Sequence, residues 1–444
     1  MTAFARVGLA SRAPRAQPGR TPPVAQTSAP VAPPRALKWA LLFGLLSLTV
    51  LDRFGLRLSA SYSINPATIA MYGVLAAMLL TRTAQINLTA ALLYVGAVTL
   101  ACLSLVVNIT FDVRQQSTVS SLMLLVVLYA PFVLMLKDDT DRLALWQWLM
   151  QWFLRFSAVL AVFGIAQYFA QFVLRAPWLI DYTDLIPAAI RGSGVYNTSN
   201  AVGSAFKSNG FFLREAAGFS WYMSFALVCE WSLARRKWLL ALLALGLTVS
   251  YSGSGVLVLI VALMLPLGLR TVVRLAAGAL VVALIVTVFG DLLNLSYTVG
   301  RVNEFGADRS SAYCRFISPA KTVAEQIDSD AWVPLLGHGP GTTQKLASTC
   351  ETTFGKVVFE YGILGAMLFA ALIVSALRRS WMPLRMRAAL AVNWLLLGGN
   401  LLGPEAILMI FFLAGMWPRN VADAVGPVSG LNRVAPTHEG AQRG

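Results

Sequence analysis

Arg191, Lys207 and Arg214 lie in one polar segment, residues 174–215, and Arg301, Arg309, Arg315, Lys321 and Lys345 lie in a second, residues 295–352. Guanidinium groups keep their charge and grip oxyanions with a planar two-pronged fork, so several converging would make an anion site. The alternative is a set of solvated loop charges balanced by Asp and Glu. The second segment also holds Pro334-Leu-Leu-Gly-His-Gly-Pro-Gly341, with His338 between two glycines. Glycine lets a backbone turn tightly and approach a ligand closely. A histidine in such a turn is either structural or, if a ligand sits there, an acid–base group. Cys314 and Cys350 share this segment, whereas Cys102 and Cys229 fall within apolar runs. In an oxidising compartment the first two are expected to form a disulfide, stabilising the loop by about 3–4 kcal/mol in the chain-entropy picture.

These polar segments interrupt a chain of 444 residues that is 57% hydrophobic and only 12% charged, with mean hydropathy +0.68. A soluble domain carries about 25% charged residues. The composition excludes a soluble enzyme, a nucleic-acid binder and a disordered chain, despite a net charge of +15. It specifies an all-α polytopic integral membrane protein in a lipid bilayer. Runs long enough for a membrane helix, about 20 apolar residues, number about twelve. They lie near 39–58, 64–81, 88–107, 118–136, 153–173, 216–233, 238–252, 255–270, 273–294, 353–376, 387–400 and 403–417. Residues 39–51 are short before Asp52-Arg53 and resemble a signal-peptide apolar core; a retained helix extended by Phe54, Leu56 and Leu58 is the expectation.

Lys and Arg mark the cytoplasmic side of a membrane protein. Residues 1–38 carry six basic and no acidic residues, and further clusters are Arg235-Arg236-Lys237, Arg270 with Arg274, and Arg378, Arg379, Arg385 and Arg387. Twelve spans with an internal N-terminus put every one of these clusters inside. The domain plan is a disordered, proline-rich basic tail over 1–38, a membrane domain over 39–417 and a cytoplasmic tail over 418–444. Segments 174–215 and 295–352 are then long external loops. Their aromatic residues, among them Trp178, Tyr182, Phe211, Phe316 and Trp332, suggest ordered caps, and 311–326 is expected to form an amphipathic helix interrupted at Pro319.

Four stretches together resemble the family of bacterial O-antigen ligases and Wzy-type polysaccharide polymerases. They are Lys207-Ser-Asn-Gly-Phe-Phe-Leu-Arg214-Glu215; Ser250-Tyr-Ser-Gly-Ser-Gly255; Arg309-Ser-Ser-Ala-Tyr with the glycine turn 334–341; and Phe359-Glu360-Tyr-Gly-Ile-Leu-Gly365. The likeness covers about residues 190–376. Two departures stand out. The family's Arg after the serine is missing around Gly253-Ser254. Where ligases have a His before the Glu-x-Gly, this chain has Glu351. The second departure favours a polymerase over a ligase, and the chain is also similar to xanthan-type exopolysaccharide polymerases.

The resemblance implies a GT-C-like glycosyltransferase of the bacterial inner membrane, with both termini cytoplasmic, two periplasmic loops, and no metal or other cofactor. Its substrate would be an undecaprenyl-pyrophosphate-linked oligosaccharide, polymerised into exopolysaccharide or O-antigen. A chain-length regulator and export proteins are further candidate partners. The leaving pyrophosphate calls for fixed positive charge, for which Arg309 and Arg214 come first, then Lys207, Arg301 and Arg191. The attacking hydroxyl calls for a base within hydrogen-bond reach: Glu351 by its family position, then Glu215, then His338. Glu215 could instead be a counter-ion to Arg214 or a helix N-terminal carboxylate. Glu360 is spaced to pair with Lys356, and Glu405 and Asn400 could line the same cavity. The rival functions are an O-antigen ligase acting on lipid A core and, from another class, a flippase for lipid-linked sugars.

Overall fold

The computed structural model describes residues 32–57, 63–111, 117–137, 141–174, 176–192, 200–202, 205–266, 268, 273, 306–307, 310, 312–327, 332–346, 352–397 and 401–417. The chain is mostly helical. The main helices are α1 (Arg35–Thr49), α2 (Pro66–Leu80), α3 (Leu88–Phe111), α4 (Val119–Tyr129), α5 (Arg142–Ala170), α6 (Ala216–Leu233), α7 (Lys237–Val249) and α8 (Gly253–Met264). After these come α9 (Ser318–Ile327), α10 (Val333–Leu336), α11 (Thr343–Leu346), α12 (Thr353–Arg378), α13 (Leu384–Val392) and α14 (Pro404–Ile410). A helix lies at each apolar run except that near 273–294, of which only residue 273 is among the described residues. Three of them, α3, α5 and α12, are long and apolar enough to cross a membrane by length and composition.

Burial follows the distribution of apolar side chains. Helix α6 and the stretch 404–417, apolar on all sides, are enclosed on all sides: Phe219–Glu230 and Ala406–Trp417 are buried. That is what an all-round apolar helix requires. Helix α3 buries Ala97, Ala101 and Ser104 on one face and exposes Leu92, Val95, Leu103, Val106 and Ile109 on the other. An exposed apolar surface of this extent suits contact with lipid.

Helix ends follow local chemistry. The Asn65 side chain accepts from Ala67 N at 2.8 Å, with Pro66 in the first position, where its missing N–H costs nothing. Asp141 caps α5 through Ala144 N, which starts that helix well before the expected residue 153. Helix α1 stops at Thr49 and is not extended by Phe54 and Leu56, contrary to the expectation. Those residues leave sideways. Phe54 pairs with Arg191, and Leu56–Arg57 forms a two-residue antiparallel ladder with Ser63–Ile64, Leu56 opposite Ile64. A second ladder joins Ala84–Ile86 to Leu134–Leu136, with Gln85 opposite Met135. The helix expected over 311–326 is a π-helical turn, Tyr313–Ile317, running into α9, with Pro319 in its first turn rather than interrupting it. Cys314 is disulfide-bonded, whereas Cys102 and Cys229 are free. Cys350, the expected partner, lies outside the described residues.

Helix α12 is broken at Gly362 (φ 65°, ψ −170°). Such a break releases main-chain carbonyls that need new donors. The glycine turn supplies them: His338 N donates to Phe359 O at 2.8 Å and Gly339 N to Glu360 O at 3.0 Å. Gly337 (φ 76°, ψ −177°), Gly339 and Gly341 all have positive φ. Helix α3 closes the joint, with Ser104 Oγ donating to Glu360 O and Asn108 Nδ2 to Gly337 O, both at 3.1 Å.

Candidate functional site

The segment before α6 is held from two sides. On α5, Gln167 Oε1 accepts from Ser208 Oγ at 2.8 Å, Asn209 N at 3.1 Å and Phe211 N at 3.3 Å. Gly210 (φ 71°) carries the chain around this bend, and a Cβ there would press on the Phe219 ring. From the turn after α1, Arg53 reaches Leu213 O with Nε at 3.2 Å and Nη2 at 3.0 Å. Its Nη2 also bonds Ile180 O at 3.1 Å, and its Nη1 pairs with Asp181 at 2.9 Å. The guanidinium lies 4.5 Å from the centre of the Tyr182 ring. These contacts fix where residues 214 and 215 stand.

Arg214 turns toward Asp52. Its Nε and Nη2 donate to Asp52 O at 2.9 and 2.7 Å, its main-chain N donates to Asp52 Oδ2 at 3.2 Å, and Nε lies 3.7 Å from that oxygen. Glu215 is the N-cap residue of α6, but its side chain does not cap the helix. It is half-buried, and desolvation pushes its carboxyl above the usual carboxylate range. Arg315 opposes that shift, Asp52 reinforces it and Arg214 opposes it. Arg315, from the π-helical turn after residue 310, bonds the hydroxyl of Ser254 in the first turn of α8. Glu405, in the first turn of α14, accepts from Asn65 Nδ2 at 3.2 Å and lies within electrostatic reach of Asp52, Arg214 and Glu215. The C-terminal end of α1 and the N-terminal ends of α2, α6, α8 and α14 thus meet at one place.

No family model matches this chain, and no curated protein matches it.

The site is therefore read from its own residues. Arg214 and Glu215, both expected, are adjacent in it. Lys207 is buried a few residues upstream. Arg191 is used within its own loop, bonding Ile186 O, Asp184 O and the Asp184 carboxylate. In these contacts it closes a turn. The ring of His338 packs on Phe359, with centroids 4.5 Å apart, and its main chain joins the glycine turn to α12 and Ser117. The expected pair forms, with Lys356 Nζ 3.0 Å from Glu360 Oε1, and Thr343 Oγ1 shares that oxygen at 2.8 Å. Glu360 is thus part of the joint beneath the glycine turn. Arg301, Arg309, Glu351 and Asn400 lie outside the described residues. Among the described residues no group of three or more His, Cys, Asp or Glu is arranged to hold a metal ion.

Asp52, Arg53, Asn65 and Arg315 were not among the expected site residues. A signal existed for the first two: a charged pair directly after an apolar run must find partners if it is buried. Arg315 stood among the loop cations with nothing local to distinguish it.

The arrangement offers two guanidinium groups from different loops, both within electrostatic reach of a carboxylate of raised proton affinity. Such a set can hold an anion and accept a proton beside it. If Glu215 acts as a base it must be deprotonated, and activity would then be lost as pH falls through the raised value. The acid limb of the pH–rate profile is expected above about pH 4.3, the ordinary glutamate value. Glu215→Gln is expected to lower the rate by about 10²–10⁴-fold, the usual contribution of a general base. Initial rates across pH check the first expectation, and rates at a single pH the second.

Proposed function

We propose that this chain is a bacterial inner-membrane glycosyltransferase that polymerises undecaprenyl-pyrophosphate-linked oligosaccharide repeat units at the periplasmic face. One observation supports the reading above others. Arg214 from the segment before α6 and Arg315 from the segment after 306 both act on Glu215. Two loops far apart in sequence therefore bring cations near one carboxylate, an arrangement suited to transfer from a lipid pyrophosphate. The four motif stretches add to it, as do three helices long and apolar enough to cross a membrane; on this reading the chain makes about twelve spans and both termini are cytoplasmic.

In this reaction the acceptor sugar hydroxyl attacks the anomeric carbon of the donor glycan. The new glycosidic C–O bond forms as the bond to the pyrophosphate oxygen breaks, and that electron pair leaves with undecaprenyl pyrophosphate. Arg214 and Arg315 stabilise the charge that builds on the leaving group. Glu215 takes the hydroxyl proton. Asp52 holds Arg214, and Ser254 holds Arg315. Arg309 and Arg301 are further candidates for the pyrophosphate, and Glu351 for the base.

The test is reconstitution of the purified protein in liposomes with its lipid-linked repeat unit, with and without EDTA, and products resolved by gel. The expected result is a ladder of multiples that survives EDTA. Transfer only to added lipid A core would make the chain a ligase. Movement of the lipid-linked substrate across the liposome without new glycosidic bonds would make it a flippase.

A further inference from the structure

We propose that Arg53 is the positioning residue of this site, the group that sets where the Arg214 guanidinium and the Glu215 carboxylate stand. The inference rests on the function proposed above. The Arg53 side chain is fully buried (0% exposed), a costly place for a cation unless its donors are used. They are used on two separate pieces of chain, by three residues: Leu213 O twice, Ile180 O once and the Asp181 carboxylate once. Leu213 directly precedes the Arg214–Glu215 pair, so two of the bonds are made one residue from the functional groups.

The main chain beside Arg53 extends the clamp. Asp52 O takes both Nε and Nη2 of Arg214, and Arg53 O takes the amide of Gly192 at 3.0 Å. Gly192 packs close, because a Cβ there would stand 3.0 Å from both Arg214 Nη2 and Arg53 O, tighter than most such contacts. The dipeptide Asp52-Arg53 therefore grips the Arg214 segment with its side chains and the Arg214 guanidinium with its backbone. Lysine cannot reproduce this, since a single ammonium has no planar fork to span two carbonyls and a carboxylate.

The test compares Arg53→Lys with the unmodified protein for kcat, KM and inhibition by inorganic pyrophosphate, a probe of the leaving-group site. All values are taken per folded protein after size exclusion. The expected result is a fall in kcat of about 10²-fold, the cost of a small misplacement of catalytic groups, and weaker inhibition by pyrophosphate. Asp181→Asn, which loosens Arg53 from its exposed side, is expected to move both quantities the same way by less. It serves alone if Arg53→Lys does not fold. Arg214→Ala is the control. If it weakens pyrophosphate inhibition while Arg53→Lys and Asp181→Asn leave kcat and inhibition unchanged, Arg53 only stabilises the fold and the inference is overturned. If Arg214→Ala leaves inhibition unchanged, the anion site itself is wrong and the inference falls with it.

Discussion

Arg214→Ala is expected to lower polymer synthesis by about 10²–10³-fold, the range for removing one fixed donor to a developing oxyanion, with the protein still made and inserted at normal levels. The guanidinium is held at Nε and Nη2 by Asp52 O, so its direction is set before any substrate arrives. A preorganised charge in a site shielded from water costs no reorganisation when the leaving group departs. Arg214→Lys restores charge without the fork and should recover only part of the rate. Single-turnover rates on the lipid-linked repeat unit, set against protein quantified in membranes, decide the matter. Full chain length from Arg214→Ala would remove Arg214 from the leaving-group site.

The second large effect is on the fold. Gly362→Ala is expected to cost about 2–5 kcal/mol, adding left-handed strain to overpacking. At φ 65° and ψ −170° residue 362 occupies a region open essentially to glycine alone. A Cβ there would also collide with Leu335 O. Leu335 belongs to the short helix before the glycine turn, so relief of the clash would pull His338 N and Gly339 N from the carbonyls they satisfy. Melting of the detergent-solubilised protein measures the effect. Gly218→Ala is the matched control, because a Cβ at 218 meets nothing within 4 Å and alanine favours a helix. Equal melting of the two variants would show that the joint at Gly362 is not needed for stability.

Much of the local structure is legible in the residues themselves. Helix α6 spans 216–233 as its apolar run does, because an apolar stretch that must satisfy its own backbone has helix as its nearest solution. Lys356 and Glu360 pair because four residues make one helical turn, and the turn at 337–341 follows from its glycines. The break at Gly362 was not legible. An isolated glycine in an apolar helix is usually tolerated, and this one breaks the helix only because amides from residues 338 and 339 take up the released carbonyls.

The composition of the site was decided by tertiary structure alone. Asp52 and Arg214 are 162 positions apart, Arg53 and Asp181 128, Asn65 and Glu405 340, and Arg315 and Ser254 61. No periodicity carries such pairings, and Arg191 and Arg214 look alike as loop cations although one closes its own turn and the other is held by Asp52. Composition and the spacing of apolar runs already imply an apolar, helical chain with its polar chemistry gathered between the helices. Which of those polar groups meet depended on where five helix ends converge, because a hydrogen bond depends on distance in space and places no demand on separation along the chain.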